Sequence, residues 1–182
     1  LDGATVVIPG KVEGTNFTGS LLVGHTTTGT LSAAQDNLGV GVDALKAITS
    51  GDQNTAISGN SMAELTTGRM NTAVGFYSGL GLSDGDYNTF LGRSAGQTVG
   101  GGDSNLCLGG AAGSNISTGS GNVIIGRVDA DSATGDRQLK IVGNDGSTTT
   151  TWITGESTGN VEINEVWNPS LSTTGKALVM GL

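Results

Sequence analysis

A five-residue unit recurs through this chain at a fixed 17-residue interval. It reads NTAVG from Asn71, NTFLG from Asn88 and NLCLG from Asn105. Eight units follow the same interval without a slip, and they start at Ser20, Asn37, Asn54, Asn71, Asn88, Asn105, Asn122 and Leu139. A 17-residue period is too short for a pair of helices and too long for a coiled-coil heptad. The repeat therefore predicts a solenoid in which each unit is one rung, a single turn of the coil.

Several positions keep one residue type through the array when the first residue of each unit is counted as position 0. Position +3 is aliphatic in all eight units, position +4 is glycine in seven, and position +11 is aliphatic in the first six. Position +12 is serine or threonine in seven units, and position +14 is glycine in five consecutive units. Short aliphatic stretches bounded by glycine, asparagine and aspartate are typical of strands and turns.

These columns predict an all-β fold, a parallel β-solenoid (β-roll) of about eight 17-residue rungs. The two aliphatic columns indicate two strands and two turns per rung, with two parallel sheets around a thin core and the side chains at +3 and +11 pointing inward. At a strand spacing of about 4.8 Å, eight rungs make a rod roughly 38 Å long. We expect residues 1–19 to form an N-terminal strand or cap, 20–150 the solenoid, and 151–182 C-terminal strands that cap it or mediate assembly.

Asparagine begins six of the eight units, and we expect this column to have a structural role. Asparagine tolerates left-handed backbone conformations, and its side-chain amide can bond the rungs above and below. A hydrogen-bonded ladder along the rod is therefore predicted for Asn37, Asn54, Asn71, Asn88, Asn105 and Asn122.

Position +2 holds no charged or hydrogen-bonding side chain, and alternation along a strand places it opposite +1 and +3. If +3 faces the core, +2 faces outward, and an apolar outer face predicts a covering partner. Another copy of the chain is the simplest partner, as a homotrimer first and as a filament second. The expected self-association face consists of Leu22, Ala56, Ala73, Phe90, Cys107, Ile124 and Ile141.

The composition argues against several classes of function. The chain has a formal net charge of −8 and no basic cluster, which argues against nucleic-acid binding and against anionic membranes. It has no apolar run of about 18 residues, so membrane insertion is not expected. Its single cysteine, Cys107, allows neither an internal disulfide nor a cysteine-only metal site. A chain that begins at Leu1 is expected to be a processed product or a piece of something longer.

No catalytic, metal or cofactor site is expected. The only histidine, His25, lies among threonines. Aspartates recur at position −2 as Asp52, Asp86 and Asp103, but aromatic residues that could form sugar platforms beside paired carboxylates are sparse. The sequence GGGDSN at 100–105 is similar to calcium-binding β-roll repeats, yet its period differs, so a turn is the preferred interpretation. An incidental calcium site at Asp84, Asp86 or Asp103 stays open as an alternative.

Two further alternatives concern surface recognition. Ice-binding solenoids present regular threonine arrays, and no regular Thr-X-Thr column is found here. Trp152 and Trp167 are interpreted as anchors of a cap or an interface, with a ligand-binding role as the alternative.

The segments NTAVGFYSG, NTFLGRSAG and NVIIGRVDADSATGDRQLKIVG resemble the asparagine- and glycine-rich repeats of tailed-phage tail fibres. The aliphatic–glycine step followed by small residues is also similar to the head domains of trimeric autotransporter adhesins. The resemblance covers roughly residues 20–165. It implies a trimeric β-roll, extracellular or on the virion surface, that serves display or attachment and has no catalytic residue.

The sequence thus favours a non-enzymatic, self-associating structural protein in an extracellular or virion fibre. One alternative is a secreted bacterial subunit that polymerises end to end into an extracellular filament by terminal strand addition. A second alternative is a carbohydrate-binding adhesin module that recognises a cell-surface glycan or receptor.

Overall fold

The computed structural model describes residues 10–14, 16–24 and 28–163, which form one twelve-stranded sheet. The strands are β1 (Gly10–Gly14), β2 (Phe17–Val23), β3 (Ala34–Gln35), β4 (Leu38–Val40), β5 (Thr55–Ile57), β6 (Thr72–Val74), β7 (Thr89–Leu91), β8 (Leu106–Leu108), β9 (Val123–Ile125), β10 (Leu139–Asn144), β11 (Thr149–Gly155) and β12 (Val161–Ile163). They lie in the order β1-β2-β4-β5-β6-β7-β8-β9-β10-β11-β12, with β3 paired to β2.

The predicted parallel β-solenoid with 17-residue rungs is confirmed. Strands β2 and β4 to β10 stack in parallel, and each pairs with the strand one rung later. Ala56 lies beside Ala73, which is followed in the stack by Phe90. Eight parallel strands make about seven turns, so the stack is about 34 Å long at a strand spacing of about 4.8 Å.

Each of the six rungs of β4 to β9 carries one strand instead of the expected two. These strands span positions +1 to +3, and the opposite side of each rung consists of turns. Left-handed residues interrupt an extended chain on that side, with φ values of 62° at Asp43 and 57° at Leu45. Backbone hydrogen bonds still join the rungs there, as between the Thr66 N–H and the Ser83 carbonyl at 2.8 Å. The solenoid therefore has one continuous sheet and one face of stacked turns, and the expectation of two sheets is wrong.

The orientation expected for the strand side chains is wrong by one position. Side chains at +2 are buried, and Ala73 and Phe90 have no exposed surface, whereas Leu91 at +3 is 45 % exposed. The asparagines at position 0 are buried too. Because residues two apart in a strand share a face, a buried position 0 carries +2 inward with it and turns +1 and +3 outward.

The predicted self-association face at +2 is therefore mostly the core of a single chain. Six of its seven residues have no exposed surface: Leu22, Ala56, Ala73, Phe90, Cys107 and Ile124. The seventh, Ile141, is half-buried and pairs with the outward-facing Ile125, because the rung that starts at Asn122 is one residue shorter than the others. Gln138, rather than Leu139, therefore holds position 0 of the next rung.

The volume of the core is balanced between positions +2 and +8. In the rung that starts at Asn37, the glycine at +2, Gly39, lies with a large residue at +8, Leu45. Glycines at +8 leave room for Phe90 in its own rung and in the rung before it, since a Cβ added to Gly96 would lie 2.4 Å from the Phe90 ring and one added to Gly79 would lie 2.7 Å from it. The side chains at +11 point inward as expected and fill the rest of the core: Ile48, Leu65, Leu82, Val99 and Ile116.

Antiparallel strands close both ends of the parallel stack. Strand β1 pairs with β2 at one end, and β11 and β12 continue the sheet beyond β10 at the other. Lys140 occupies the position that Ile124 holds one rung earlier, and its ammonium group pairs with Asp131. A charged group there ends the apolar core, because a further apolar rung would bury it. Residues 1–9 and 164–182 of the two expected end segments lie outside the described residues.

Gly75→Ala should destabilise the fold, because the bend after strand β6 holds this residue in a backbone conformation that favours glycine, close to the next rung. Gly75 has a φ of +133°, and a Cβ there would lie 2.6 Å from the carbonyl carbon of Gly92 in the next rung. We expect urea denaturation to show a loss of at least about 2 kcal/mol in the free energy of unfolding. Gly110→Ala is the control, since a Cβ at Gly110 meets nothing within 4 Å. Equal losses for the two variants would contradict this account of the bend.

Candidate functional site

The buried asparagines form a continuous hydrogen-bonded ladder along the rod. The Oδ1 of Asn71 accepts the backbone N–H of Asn88 at 2.9 Å and the Asn88 Nδ2–H at 3.1 Å. The Nδ2 of Asn71 donates to Asn54 Oδ1 at 3.0 Å and to the Gly85 carbonyl at 2.8 Å. Equivalent bonds between neighbouring rungs join the rest of the column: Asn37, Asn54, Asn88, Asn105 and Asn122. The amides are therefore satisfied without water, although they are buried.

Different residues end the ladder on the two sides. Ser20 begins it, since its Oγ accepts the backbone N–H of Asn37 at 2.8 Å. Gln138 ends it, donating to Asn122 Oδ1 from its backbone N–H at 2.8 Å and from its Nε2 at 3.1 Å. The extra methylene of glutamine lets its amide also reach the Gly135 carbonyl at 2.8 Å within this shorter rung. The ladder therefore spans every rung of the parallel stack.

A second, exposed ladder at position −2 runs with the opposite polarity. Here a side chain accepts the N–H of the preceding rung: Asp86 Oδ1 accepts from Arg69 at 2.7 Å, and Asp103 Oδ1 accepts from Asp86 at 2.8 Å. Asp52 does the same for the N–H of Gln35 at 3.0 Å. The recurring aspartates thus hold the rungs together. Within the described residues, no group of three or more His, Cys, Asp or Glu side chains could hold a metal ion.

The side chains at +1 and +3 form an uncharged surface along the whole parallel stack, which we call the outer sheet face. Thirteen of its sixteen residues are aliphatic and three are threonine; they are Leu21, Val23, Leu38, Val40, Thr55, Ile57, Thr72, Val74, Thr89, Leu91, Leu106, Leu108, Val123, Ile125, Leu139 and Ile141. All sixteen are half-buried or exposed in the single chain. An apolar strip of this length is a candidate interaction surface.

Charges of opposite sign flank the outer sheet face. The acidic edge comprises positions −2 and −1, just before each strand, and holds five aspartates and two arginines: Asp36, Asp52, Asp86, Asp103, Asp136, Arg69 and Arg137. The basic edge is position +5, just after the glycine bend, where the charged residues are Arg93 and Arg127, both exposed. The nearby Asp43 is paired with Lys46 at 3.2 Å. The face is therefore bounded by net negative charge on one side and net positive charge on the other.

The remaining candidate residues do not gather into a site. Cys107 is buried in the core, and burial raises the pKa of its thiol to about 12, so the thiol is not a nucleophile at neutral pH. Trp152 on β11 is 54 % exposed, and its indole ring covers Gly143. His25 and Trp167 lie outside the described residues. In the described part of the chain, no helix has the length and hydropathy that crossing a bilayer requires.

Comparison of the chain with protein-family models, with curated proteins and with solved structures gives no match.

Reasoning from sequence missed the outer sheet face and the residues that end the ladder. A usable signal for the face was present, because position +2 varies in volume from Gly39 to Phe90, and +8 is the large Leu45 in the rung of Gly39 and glycine in the rung of Phe90. Such compensation is typical of a packed interior, where total volume is conserved. Gln138 carried no comparable signal, since a single 16-residue rung breaks the period only once.

Asn71→Ala should cost about 3–5 kcal/mol of unfolding free energy, because it leaves the buried Asn88 N–H and Gly85 carbonyl without partners. Chemical denaturation followed by circular dichroism measures this loss. The matched control is Asn115→Ala, which removes two hydrogen bonds to Ala130 at a partly buried site and should cost about 1 kcal/mol. A cost at Asn71 no greater than that at Asn115 would show that the ladder is not a main source of stability.

Cys107 should react with a thiol reagent such as DTNB only when the chain unfolds. Its side chain has no exposed surface, and its raised pKa keeps it protonated at pH 8. We expect the labelling rate without denaturant to be at least about a thousandfold below the rate in denaturant, following the population of the unfolded state. Rapid labelling of the folded chain would place Cys107 outside the core.

Proposed function

We propose that this chain is a non-enzymatic structural protein, a self-associating β-solenoid that forms part of an extracellular or virion fibre. The observation that carries the proposal is the outer sheet face, an uncharged and largely aliphatic strip that runs the length of the parallel stack. Surfaces of this kind are rare on chains that stay monomeric and usually mark an interface.

The internal structure suits a stiff rod. Backbone hydrogen bonds join the rungs on the sheet side and on the turn side, and two side-chain ladders run between them. Threonine and serine hydroxyls at +12 add further bonds to the next rung, such as Thr49 Oγ1 to the Thr66 carbonyl at 3.0 Å. Because every rung is bonded to both neighbours at several points around the turn, bending or stretching the rod strains many bonds together.

The distribution of charge supports association through one surface. The chain carries a net charge of −8, so copies repel each other at most orientations. The outer sheet face carries no charge, and removing its aliphatic side chains from water contributes about 25 cal/mol per Å² of buried area. The extracellular or virion setting is supported by the resemblance of the repeats to tail-fibre and adhesin sequences.

Strand β12 favours a second candidate function, a subunit that polymerises end to end by strand addition. In the described residues β12 pairs only with β11, and its apolar residues Val161 and Ile163 are 57 % and 52 % exposed. A sheet that ends in such a strand can accept a further strand from another chain. Long filaments in negative-stain micrographs would favour this candidate over a rod of fixed length.

Leu91→Lys should abolish self-association with little effect on folding. Leu91 lies in the middle of the outer sheet face, where a lysine can extend its ammonium group into water only if no partner covers it. We expect sedimentation velocity to show an oligomer for the unchanged chain and a monomer for the variant, with unfolding free energies that differ by less than about 1 kcal/mol.

Thr67→Lys is the matched control, because Thr67 is exposed on the face of stacked turns. This variant should associate as the unchanged chain does. An unchanged chain that remains monomeric at its highest soluble concentration would refute the proposed function.

A further inference from the structure

We propose that the outer sheet face packs against the same face of a second copy, with the two rods parallel and their rungs level. This inference rests on the proposed function, and it adds the partner's surface, its orientation and the number of copies. Two observations support it: the arrangement of charge at the two edges of the face, and the area that the face offers.

A two-fold axis parallel to the rods brings unlike edges together. When one sheet is turned to face its copy about such an axis, the acidic edge of each copy lies along the basic edge of the other. Arg93 then lies level with Asp86 of the second copy, because Asp86 comes just before strand β7 and Arg93 just after it. Arg127 lies one rung, about 4.8 Å, from the levels of Asp103 and Asp136. Opposite charges at the rim guide encounter and fix the register.

An antiparallel arrangement is opposed by the same charges. Turning one copy about an axis perpendicular to the rods places the acidic edge beside the acidic edge and the basic edge beside the basic edge. Five aspartates and two arginines on the acidic edge give each copy a net charge of −3 there, so this arrangement brings two net negative edges together. Asp52 then lies level with Asp103 of the second copy, and Arg69 with Asp86 is the one level of opposite charge on this edge. Like-charge juxtaposition suppresses wrong pairings.

The area of the face matches that of a stable dimer. Seven strand steps give a length of about 34 Å, and positions −1 to +5 give a width of about 20 Å, so the face covers roughly 700 Å². Stable interfaces bury about 800 Å² per partner. This area includes the exposed apolar side chains at its two margins, namely Met70, Tyr87, Val42 and Phe76.

Two copies cover the face better than three. Two facing sheets pack about 10 Å apart and bury both faces completely. Three flat faces around one axis enclose a channel, and the small residues at +1 in the middle rungs, Thr55, Thr72 and Thr89, would leave it unfilled. We therefore infer a dimer, in place of the trimer that the sequence suggested first.

Disulfide cross-linking of the full chain distinguishes the orientations. In the parallel dimer, +1 of one copy lies opposite +3 of the other in the same rung, so a mixture of Leu38→Cys and Val40→Cys chains should cross-link on mild oxidation. In the antiparallel dimer, the second rung lies opposite the seventh, so Leu38→Cys should cross-link with Val123→Cys instead. We expect the first mixture to react at least tenfold faster than the second. The buried Cys107 stays in place, and the unchanged chain is the blank.

Charge reversal provides an independent measurement. Arg93→Glu combined with Arg127→Glu makes both edges acidic and should raise the dimer dissociation constant at least tenfold at low salt. Arg137→Glu lies on the acidic edge, makes that edge more acidic and should leave the dissociation constant unchanged or lower it. Equal effects of the two changes would overturn the pairing of unlike edges.

The outcomes separate this inference from the proposed function. A chain that sediments as a monomer and forms no cross-link overturns both. A chain that self-associates but cross-links through Leu38→Cys and Val123→Cys overturns only the parallel orientation. Self-association as a trimer, measured by sedimentation equilibrium, overturns only the number of copies.

Discussion

Six successive rungs of this rod are held in register by buried asparagine amides that must find their partners in the rungs before and after. A buried amide without partners costs about 1–3 kcal/mol per lost hydrogen bond. Six such amides in a column leave the chain one register in which all are satisfied. The same requirement decides which way every strand side chain points, since position 0 must face inward. Position +2 follows it into the core, and +1 and +3 become the surface.

This order inverts the usual arrangement of a sheet that has one face in water. Amides occupy the interior of the rod, and aliphatic side chains occupy the outside of its sheet. The amides are stable inside because the ladder satisfies them, and they share the interior with the apolar side chains at +2, +8 and +11. The aliphatic side chains outside have no such compensation in the single chain, and they supply the driving force for association. The buried, hydrogen-bonded amides and the exposed aliphatic side chains therefore have the same cause, the alternation of side chains between the two faces of each strand.

The period, the asparagine column and the glycine bend could be predicted from sequence because each repeats many times. The direction of the side chains could not be predicted in the same way, because a constant aliphatic column such as +3 is ordinarily the mark of a core. In a core that repeats from rung to rung, volumes can vary if a neighbour compensates, as Gly96 does for Phe90. The single sheet escaped prediction for a different reason. Leucine has no preference for left-handed conformations, so nothing in the sequence marks Leu45 as the residue that interrupts a second strand.

The parallel stack of the rod ends at a defined rung. Gln138 and Lys140 end the polar ladder and the apolar core at the same level, and neither residue type occurs at those positions in earlier rungs. The residues that end the stack thus lie in one rung, while the residues that continue it are repeated in all the others. Duplication or loss of one 17-residue unit in the middle would change the length by about 4.8 Å and leave both ends intact. The number of 17-residue repeats in the gene therefore sets the length of the rod in equal steps of one rung.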